Sequence, residues 1–280
     1  DVPYLKLLKC PTIFISPTND FAAPMDNMYL NESYTDTPFF YYAVSPHYNH
    51  RHYDAFKVHT LLVFEKFLKD AFSYPEKPML SVNLKTEDGI PMVKLELDRS
   101  RPIEKVDIYY SIDPHSITRF WRDAEAKPVG DAWVAKCPIM STSQPLFFYA
   151  NVTYQADLSS YRHFNNTGGF ENQFALSSNM LRITSEELKA AGVQATDKPS
   201  RLVDDFKRGQ HDWYTKNWGN RHHWHLSTRK MKDPKYRPPH GAKLLLDVKS
   251  DTDNILVCAF TINEWGAYPG KPAGSFNVVK

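Results

Sequence analysis

Two strand-like runs and one amphipathic segment dominate the first quarter of the chain. Lys9–Ser16 is an apolar run rich in β-branched and aromatic residues, and Pro38–Ser45 is a second run of the same kind. The polar segment between them, Pro24–Ser33, is compatible with a helix. Asp54–Phe72 carries apolar residues at helical spacing, which is typical of an amphipathic helix. The pattern therefore predicts the order strand–helix–strand–helix.

Residues with useful chemistry follow both predicted strands. Asp20 ends the turn after the first strand, and the loop after the second contains His47, His50 and His52. In α/β sheets, functional groups lie outside the carboxyl ends of the strands. The separation of Asp20 and His50, 50 − 20 = 30 residues, is enough for one helix and one strand. An acid and a histidine are therefore expected at one edge of a sheet.

This stretch resembles the last part of an α/β-hydrolase fold, in which the acid and then the histidine of a Ser-His-Asp triad follow late strands. The resemblance implies that Asp20 is the acid and His50 the base. A serine hydroxyl is a weak nucleophile and needs a base that a buried carboxylate orients. We choose His50 over His47 and His52 because its Asn-His-Arg step lies just after the last strand. Another interpretation, that Asp20 and His50 are ordinary turn residues, stays open.

The serine of such a triad is missing from the sequence. The α/β-hydrolase order Ser…Asp…His places the nucleophile elbow G-x-S-x-G upstream of Asp20. The motif does not occur anywhere in the 280 residues. We therefore expect the chain to be the C-terminal portion of a larger hydrolase, whose N-terminal hydrolase portion is missing from it.

The hydrophobic period changes after the Pro-containing linker that follows Phe72. Met79–Asp98 alternates apolar and polar residues around a turn at Asp88-Gly89. Further predicted strands are Lys105–Asp113, Trp133–Cys137 and Pro145–Tyr154. Short strands separated by turn signals favour a small antiparallel β-sandwich at 79–160. The segment Ser111–Tyr154 resembles the β-domain of PhoPQ-activated pathogenicity-related proteins and their dienelactone-hydrolase-like relatives.

The last part of the chain, residues 170–280, combines strand-like runs with one short helix. Thr184–Gly192 has an N-cap threonine, early glutamates and a terminal glycine, which predict a helix. The predicted strands are Phe174–Ile183, Ser200–Phe206, Lys243–Asp251, Asn254–Asn263 and the final Ser275–Lys280. With the tryptophans between them and the segment Met231–Val248, they resemble a galactose-binding-like jelly roll.

The expected fold class is therefore α/β plus all-β. Residues 1–74 would hold the C-terminal strands and helix of an α/β-hydrolase sheet. Residues 79–160 and 170–280 would form β-sandwich or jelly-roll domains.

Two groups of side chains are candidates for substrate binding. Arg119, Trp121 and Arg122 form the dense cluster RFWRD, which could bind an anionic group such as a uronate. The interpretation we favour is a buried tryptophan between charge-paired arginines. Trp213 and Trp218 are candidates for stacking on a sugar, because an indole ring combines apolar area with a polar handle. The alternative is that they fill the core.

Bulk composition narrows the function classes. Lys+Arg (34) and Asp+Glu (32) nearly balance, so the charge gives no case for nucleic acid or an anionic membrane as partner. No apolar run approaches the roughly 20 residues of a membrane helix.

Cys10, Cys137 and Cys258 form no C-x-x-C motif and are expected to be buried free thiols. The histidine-rich run near residue 223 matches no zinc motif, so no metal and no cofactor are expected.

The resemblance implies a secreted serine hydrolase, extracellular or periplasmic, that acts as an esterase on carbohydrate-linked or small esters. A non-catalytic carbohydrate-binding fragment and a structural fragment remain as alternatives.

Overall fold

The computed structural model describes residues 2–37, 39–50, 52–159, 172–216, 225–259 and 272–278 of the chain. These residues form a β-rich fold with few helices. The helices are α1 (Val2–Leu5), α2 (Met25–Glu32), α3 (Asp54–Lys57), α4 (His59–Phe67) and α5 (Ser185–Ala190). The strands are β1 (Thr12–Pro17), β2 (Phe40–Ser45), β3 (Met79–Asn83), β4 (Met92–Glu96), β5 (Ile103–Ser111), β6 (Arg122–Asp123), β7 (Lys127–Val129), β8 (Ala132–Lys136), β9 (Leu146–Gln155), β10 (Gln173–Ser177), β11 (Leu181–Ile183), β12 (Tyr214–Lys216), β13 (His225–Ser227), β14 (Asn254–Ala259) and β15 (Pro272–Val278).

The main sheet has seven strands in the order β1-β2-β10-β9-β5-β6, and β11 also pairs with β9. β1 and β2 pair in parallel, from Thr12 opposite Phe40 to Pro17 opposite Ser45. The other neighbours in this sheet pair antiparallel. Parallel strands need a crossover connection, and here α2 lies on it. The pairing brings the carboxyl ends of β1 and β2 to the same edge of the sheet.

The main sheet crosses the boundaries predicted from the sequence. It takes β1 and β2 from residues 1–74, β5, β6 and β9 from residues 79–160, and β10 and β11 from the last segment. Residues 173–183 therefore do not open a separate C-terminal sandwich, and the prediction is wrong for them. The physical reason is that β10 supplies apolar residues to the same core as β9 and pairs with it over five positions.

The second sheet has four antiparallel strands in the order β3-β4-β8-β7. Its hairpin β3–β4 encloses the predicted turn, where Gly89 has a φ of 67°, a conformation that glycine adopts without steric cost. Apolar side chains from both sheets belong to one buried cluster that includes Leu80, Val93, Leu95, Ile108, Phe148, Ala150 and Phe174. The two sheets therefore share one core. Burial of each such side chain stabilises the fold by roughly 1.5–3 kcal/mol.

The helices agree with the sequence pattern in part. The polar segment forms α2, and Thr184 is the N-cap of α5, as the sequence predicts, with a capping box to Glu187. The long amphipathic segment divides into α3 and α4 and ends at Phe67 rather than Phe72. Asp70 adopts a φ of 50°, and this left-handed residue turns the chain away from the helix axis.

The described residues beyond 200 form two separate hairpins, β12–β13 and β14–β15, rather than a jelly roll. The predicted strands Ser200–Phe206 and Lys243–Asp251 are irregular in the structure. Leu245 is 88% exposed, so the apolar run around it has no core to pack on among these residues. The cysteines are free: Cys137 is buried as expected, Cys10 is exposed and Cys258 is half-buried.

His59 of α4 generates a testable prediction about acid stability. The fully buried ring donates from Nε2 to the Ala175 carbonyl at 2.7 Å, and the Tyr74 hydroxyl lies 3.0 Å from Nδ1. Burial lowers the pKa of His59 to about 4. The unfolded chain therefore takes up a proton near pH 6.5 that the folded chain excludes until near pH 4. The contribution of His59 to the free energy of unfolding is therefore complete above pH 6.5. It falls as the pH drops toward 4, by up to about 1.4 kcal/mol per pH unit.

Replacing His59→Gln removes this titration, so we expect urea unfolding to show a smaller loss of stability between about pH 7 and pH 4.5. His240→Gln, at an exposed histidine, is the matched control and should keep the wild-type slope. Identical slopes for His59→Gln and wild type would contradict the assignment.

Candidate active site

Asp20 and His50 meet at the carboxyl edge of the parallel strand pair. Asp20 lies three residues after β1, and His50 lies five residues after β2. Nδ1 of His50 is 3.0 Å from Oδ2 of Asp20, within the hydrogen-bond distance expected from the sequence. A carboxylate oxygen only accepts, so in this bond Nδ1 carries the hydrogen and Nε2 is the basic nitrogen of the neutral ring. The Asp20 carboxylate thus orients the His50 imidazole.

The two partners differ in accessibility. The Asp20 side chain is 8% exposed, whereas the His50 side chain is 61% exposed. The second carboxylate oxygen of Asp20 accepts from the backbone N–H groups of Ala22 (2.8 Å) and Ala23 (3.3 Å). These bonds fix the carboxylate while the imidazole stays open to solvent, so the pair can accept a proton from a group that approaches His50.

The loop that carries His50 contains two residues with left-handed backbone. His47 has a φ of 64° and His50 a φ of 53°. Such conformations cost of order 1–3 kcal/mol in non-glycine residues and concentrate at functional sites. Here they bend residues 46–50 back over the end of β1, which brings the His50 ring to Asp20.

Thr18 and Asn19 connect the loop that carries Asp20 with the loop that carries His50. The backbone N–H of His47 donates to Oγ1 of Thr18 at 2.8 Å, and this hydroxyl donates to Oδ1 of Asn19 at 2.7 Å. The fully buried Asn19 amide donates to the carbonyls of Ile117 (3.0 Å) and Arg119 (2.8 Å). The Asn19 side chain therefore links the residue before Asp20 to the loop between β5 and β6.

His47 has a different environment from His50. It is 1% exposed and stacks on Phe120 with ring centroids 5.7 Å apart, and neither ring nitrogen has a hydrogen-bond partner among the described residues. Burial, together with the nearby charges of Arg229 and His211, lowers the pKa of His47 to about 3. Its carbonyl accepts a hydrogen bond from Arg229. His47 is thus a buried neutral residue that anchors the loop.

The cluster Arg119, Trp121 and Arg122 does not face a substrate. Arg119 and Trp121 are fully buried and Arg122 is 6% exposed. Arg119 makes a two-pronged ion pair with Asp26, at 2.8 and 3.0 Å. We therefore withdraw the substrate-binding interpretation, because these side chains have no surface from which to reach a ligand.

Arg122 supports this correction. Its Nε donates to Asp233 at 2.7 Å, and a second nitrogen pairs with Asp197. Both carboxylates are themselves buried, with side chains 3% and 8% exposed. Breaking a buried pair of this kind typically costs 3–5 kcal/mol, so Arg122 pins the segments around residues 197 and 233 to β6.

Trp213 is half-buried, and its Nε1 donates to Oδ2 of Asp204 at 2.6 Å. The ring lies 5.3 Å from the ring of Phe206, which is 48% exposed. The second sugar-stacking candidate, Trp218, lies outside the described residues.

Sequence reasoning missed Thr18, Asn19 and Arg229. Their roles depend on partners about 30 to 180 residues away, such as the contact between Arg229 and His47. Residue spacing along the chain carries no signal for such contacts.

Comparisons with protein-family models, curated proteins and solved structures find no match to this chain. No helix among the described residues has the length and apolar character needed to cross a membrane.

The role of Asn19 can be tested with Asn19→Asp, which keeps the shape but replaces the donating NH₂ by an oxygen that faces carbonyl oxygens. We expect a loss of at least about 1–3 kcal/mol in unfolding free energy, because buried polar groups lose their partners. NMR should also show altered ¹⁵N shifts of the His50 ring.

Asn83→Asp is the matched control, since the exposed Asn83 uses its side-chain oxygen as an acceptor for Lys85 N–H and a carboxylate preserves that bond. If Asn19→Asp were as stable as Asn83→Asp, Asn19 would have no clamping role.

Proposed function

We propose that this chain supplies the acid and base of a secreted serine hydrolase, an esterase acting on carbohydrate-linked or small esters. The observation that carries the proposal is the 3.0 Å contact between His50 Nδ1 and Asp20 Oδ2 at the ends of two parallel strands. The order β1, α2, β2, then α3 and α4, supports a likeness to the C-terminal part of an α/β-hydrolase sheet. The antiparallel strands that continue this sheet, and the four-stranded sheet on the same core, would then be the β-region of that enzyme.

In the proposed reaction, Nε2 of His50 takes the proton of a serine hydroxyl as the oxygen attacks the ester carbonyl. Asp20 holds the Nδ1–H and stabilises the imidazolium. The imidazolium then gives its proton to the leaving alcohol, and water releases the acid from the acyl-serine by the same route. The serine in this proposal belongs to an N-terminal hydrolase portion outside these residues, because the sequence has no G-x-S-x-G.

The 280-residue chain alone should not hydrolyse p-nitrophenyl acetate faster than its His50→Ala variant, because the activated nucleophile is absent. Initial rates of the two proteins measure this directly. Covalent labelling of any serine in this chain by a fluorophosphonate probe would contradict the expectation.

The encoded full-length protein tests the function itself. There, Asp20→Asn should lower kcat by about 10⁴-fold and His50→Gln by about 10⁶-fold, as losing the orienting acid or the base does in serine proteases. Asp36→Asn, at a side chain 88% exposed, is the control and should keep full activity. An active full-length enzyme that tolerates both site substitutions, or one without a serine elbow, would remove the proposal.

A second candidate function, carbohydrate binding without catalysis, is favoured by the Phe206–Trp213 ring pair. Trp213→Ala should abolish weak glycan binding in the micromolar-to-millimolar range, about −4 to −8 kcal/mol, on a glycan array followed by calorimetry. Phe64→Ala, at an exposed aromatic on α4, is the control. Binding that survives in Trp213→Ala would exclude this surface.

A further inference from the structure

Three side chains of types that can bind metal ions lie together at the edge strand β6. The proposed esterase chemistry does not use this cluster. Asp107 of β5 and Asp123 of β6 lie on paired antiparallel strands, and His211 precedes β12. Nε2 of His211 is 3.0 Å from Oδ2 of Asp123 and 3.7 Å from Oδ1 of Asp107. The three ligand atoms all lie within 4.8 Å of one another.

These separations suit a small divalent ion. With metal–ligand bonds of 2.0–2.2 Å and tetrahedral angles, neighbouring ligand atoms lie about 3.3–3.6 Å apart, between the two observed distances. Nε2 of His211 is fully buried, yet it makes no hydrogen bond of good geometry to either carboxylate. The nitrogen is thus close to both oxygens but is not directed at either of them. A nitrogen that binds the same ion as the two oxygens would be directed at the ion between them.

A separate observation concerns His47, which packs on the same tyrosine, Tyr109, as His211. The ring of His47 packs edge-to-face on Tyr109 at 5.9 Å, and Tyr109 stacks on His211 at 6.5 Å. His47 is 1% exposed, and within the part of the chain that the structure describes neither ring nitrogen has a hydrogen-bond partner. A buried polar group left without a partner costs roughly 1–3 kcal/mol. An unmatched buried imidazole therefore packs on the same tyrosine ring as the His211 candidate ligand.

Two cations now neutralise the carboxylates. Lys105 Nζ lies 3.0 Å from Asp107 Oδ2, and Arg208 pairs with Asp123. Their side chains are 53% and 50% exposed, so both can swing into solvent. One divalent ion in place of two monovalent groups leaves the charge balance of the site unchanged, which removes the main electrostatic objection to a metal there.

We propose that Asp107, Asp123 and His211 bind a divalent transition-metal ion of the zinc type, which displaces Lys105 and Arg208 from the carboxylates. One imidazole and two carboxylates suit zinc and related ions rather than soft thiolate-seeking metals. The site is independent of the proposed hydrolase role, because none of its ligands belongs to the Asp20–His50 pair.

Calorimetric titration of ZnCl₂ into the chelator-treated 280-residue chain tests this, with Co²⁺ absorption as a second readout of coordination. We expect one ion per chain, and at least about 10-fold weaker affinity in Asp123→Asn and in His211→Ala, since even supporting groups of metal sites contribute this much. Arg208→Ala keeps all three ligands and should bind zinc more tightly, because a competing cation is gone. His240→Ala, at an exposed histidine, should bind as wild type.

Three outcomes would overturn the proposal. The first is no zinc binding by the wild-type chain. The second is binding that persists in both Asp123→Asn and His211→Ala, which would assign it to other histidines such as those at 222, 223 and 225. The third is unchanged or weaker binding in Arg208→Ala, which refutes displacement even if the ligand substitutions disturb folding. Thermal unfolding of each variant separates lost ligands from lost structure.

Discussion

The fold depends on how its parallel strand pair is joined to its antiparallel strands, and buried side chains make this junction. The backbone N–H of Val44 in β2 donates to Ser177 Oγ at 2.8 Å, and this hydroxyl donates to Asn151 Oδ1 at 2.6 Å. The Asn151 amide returns a bond to the Val44 carbonyl at 3.1 Å. Ser177 is fully buried and Asn151 is 2% exposed. Leaving such groups unmatched would cost about 1–3 kcal/mol each, so the polar triangle fixes where β2 meets β10 and β9.

This junction explains which parts of the fold the sequence could predict. Elements set by local pattern were predictable: the runs that form β1 and β2, the capping box at Thr184 and the hairpin around Gly89 each carry their own signal. The place of β10 was not, because its neighbours are chosen by contacts with residues far away in the sequence. Hydrophobic pattern alone also predicted a strand at Lys243–Asp251, yet a strand needs a partner edge, and the described residues provide none there.

The same division applies to the candidate site. Asp20 and His50 could be placed from strand ends and turn chemistry, and the structure brings their side chains together. Their support could not be foreseen, because Asn19 acts through carbonyls about 100 residues away. For the cluster RFWRD the sequence allowed a binding surface or a buried tie, and the structure has the second, because a guanidinium with two-pronged carboxylate partners is well suited to burial.

Buried arginines connect the C-terminal region to the site. Arg122 holds Asp233 beside β6. Arg229, four residues before Asp233, donates to the His47 carbonyl in the loop that carries His50. Burial lowers the pKa of Arg229, because its positive charge loses contact with water. The hydrogen bond to the loop and the Tyr214 ring at 4.8 Å partly offset this loss of hydration. A shift of residues 229–233 therefore acts on the backbone three residues before His50. The Asp20–His50 pair is thus linked to residues 229–233 through the backbone of the loop that carries His50.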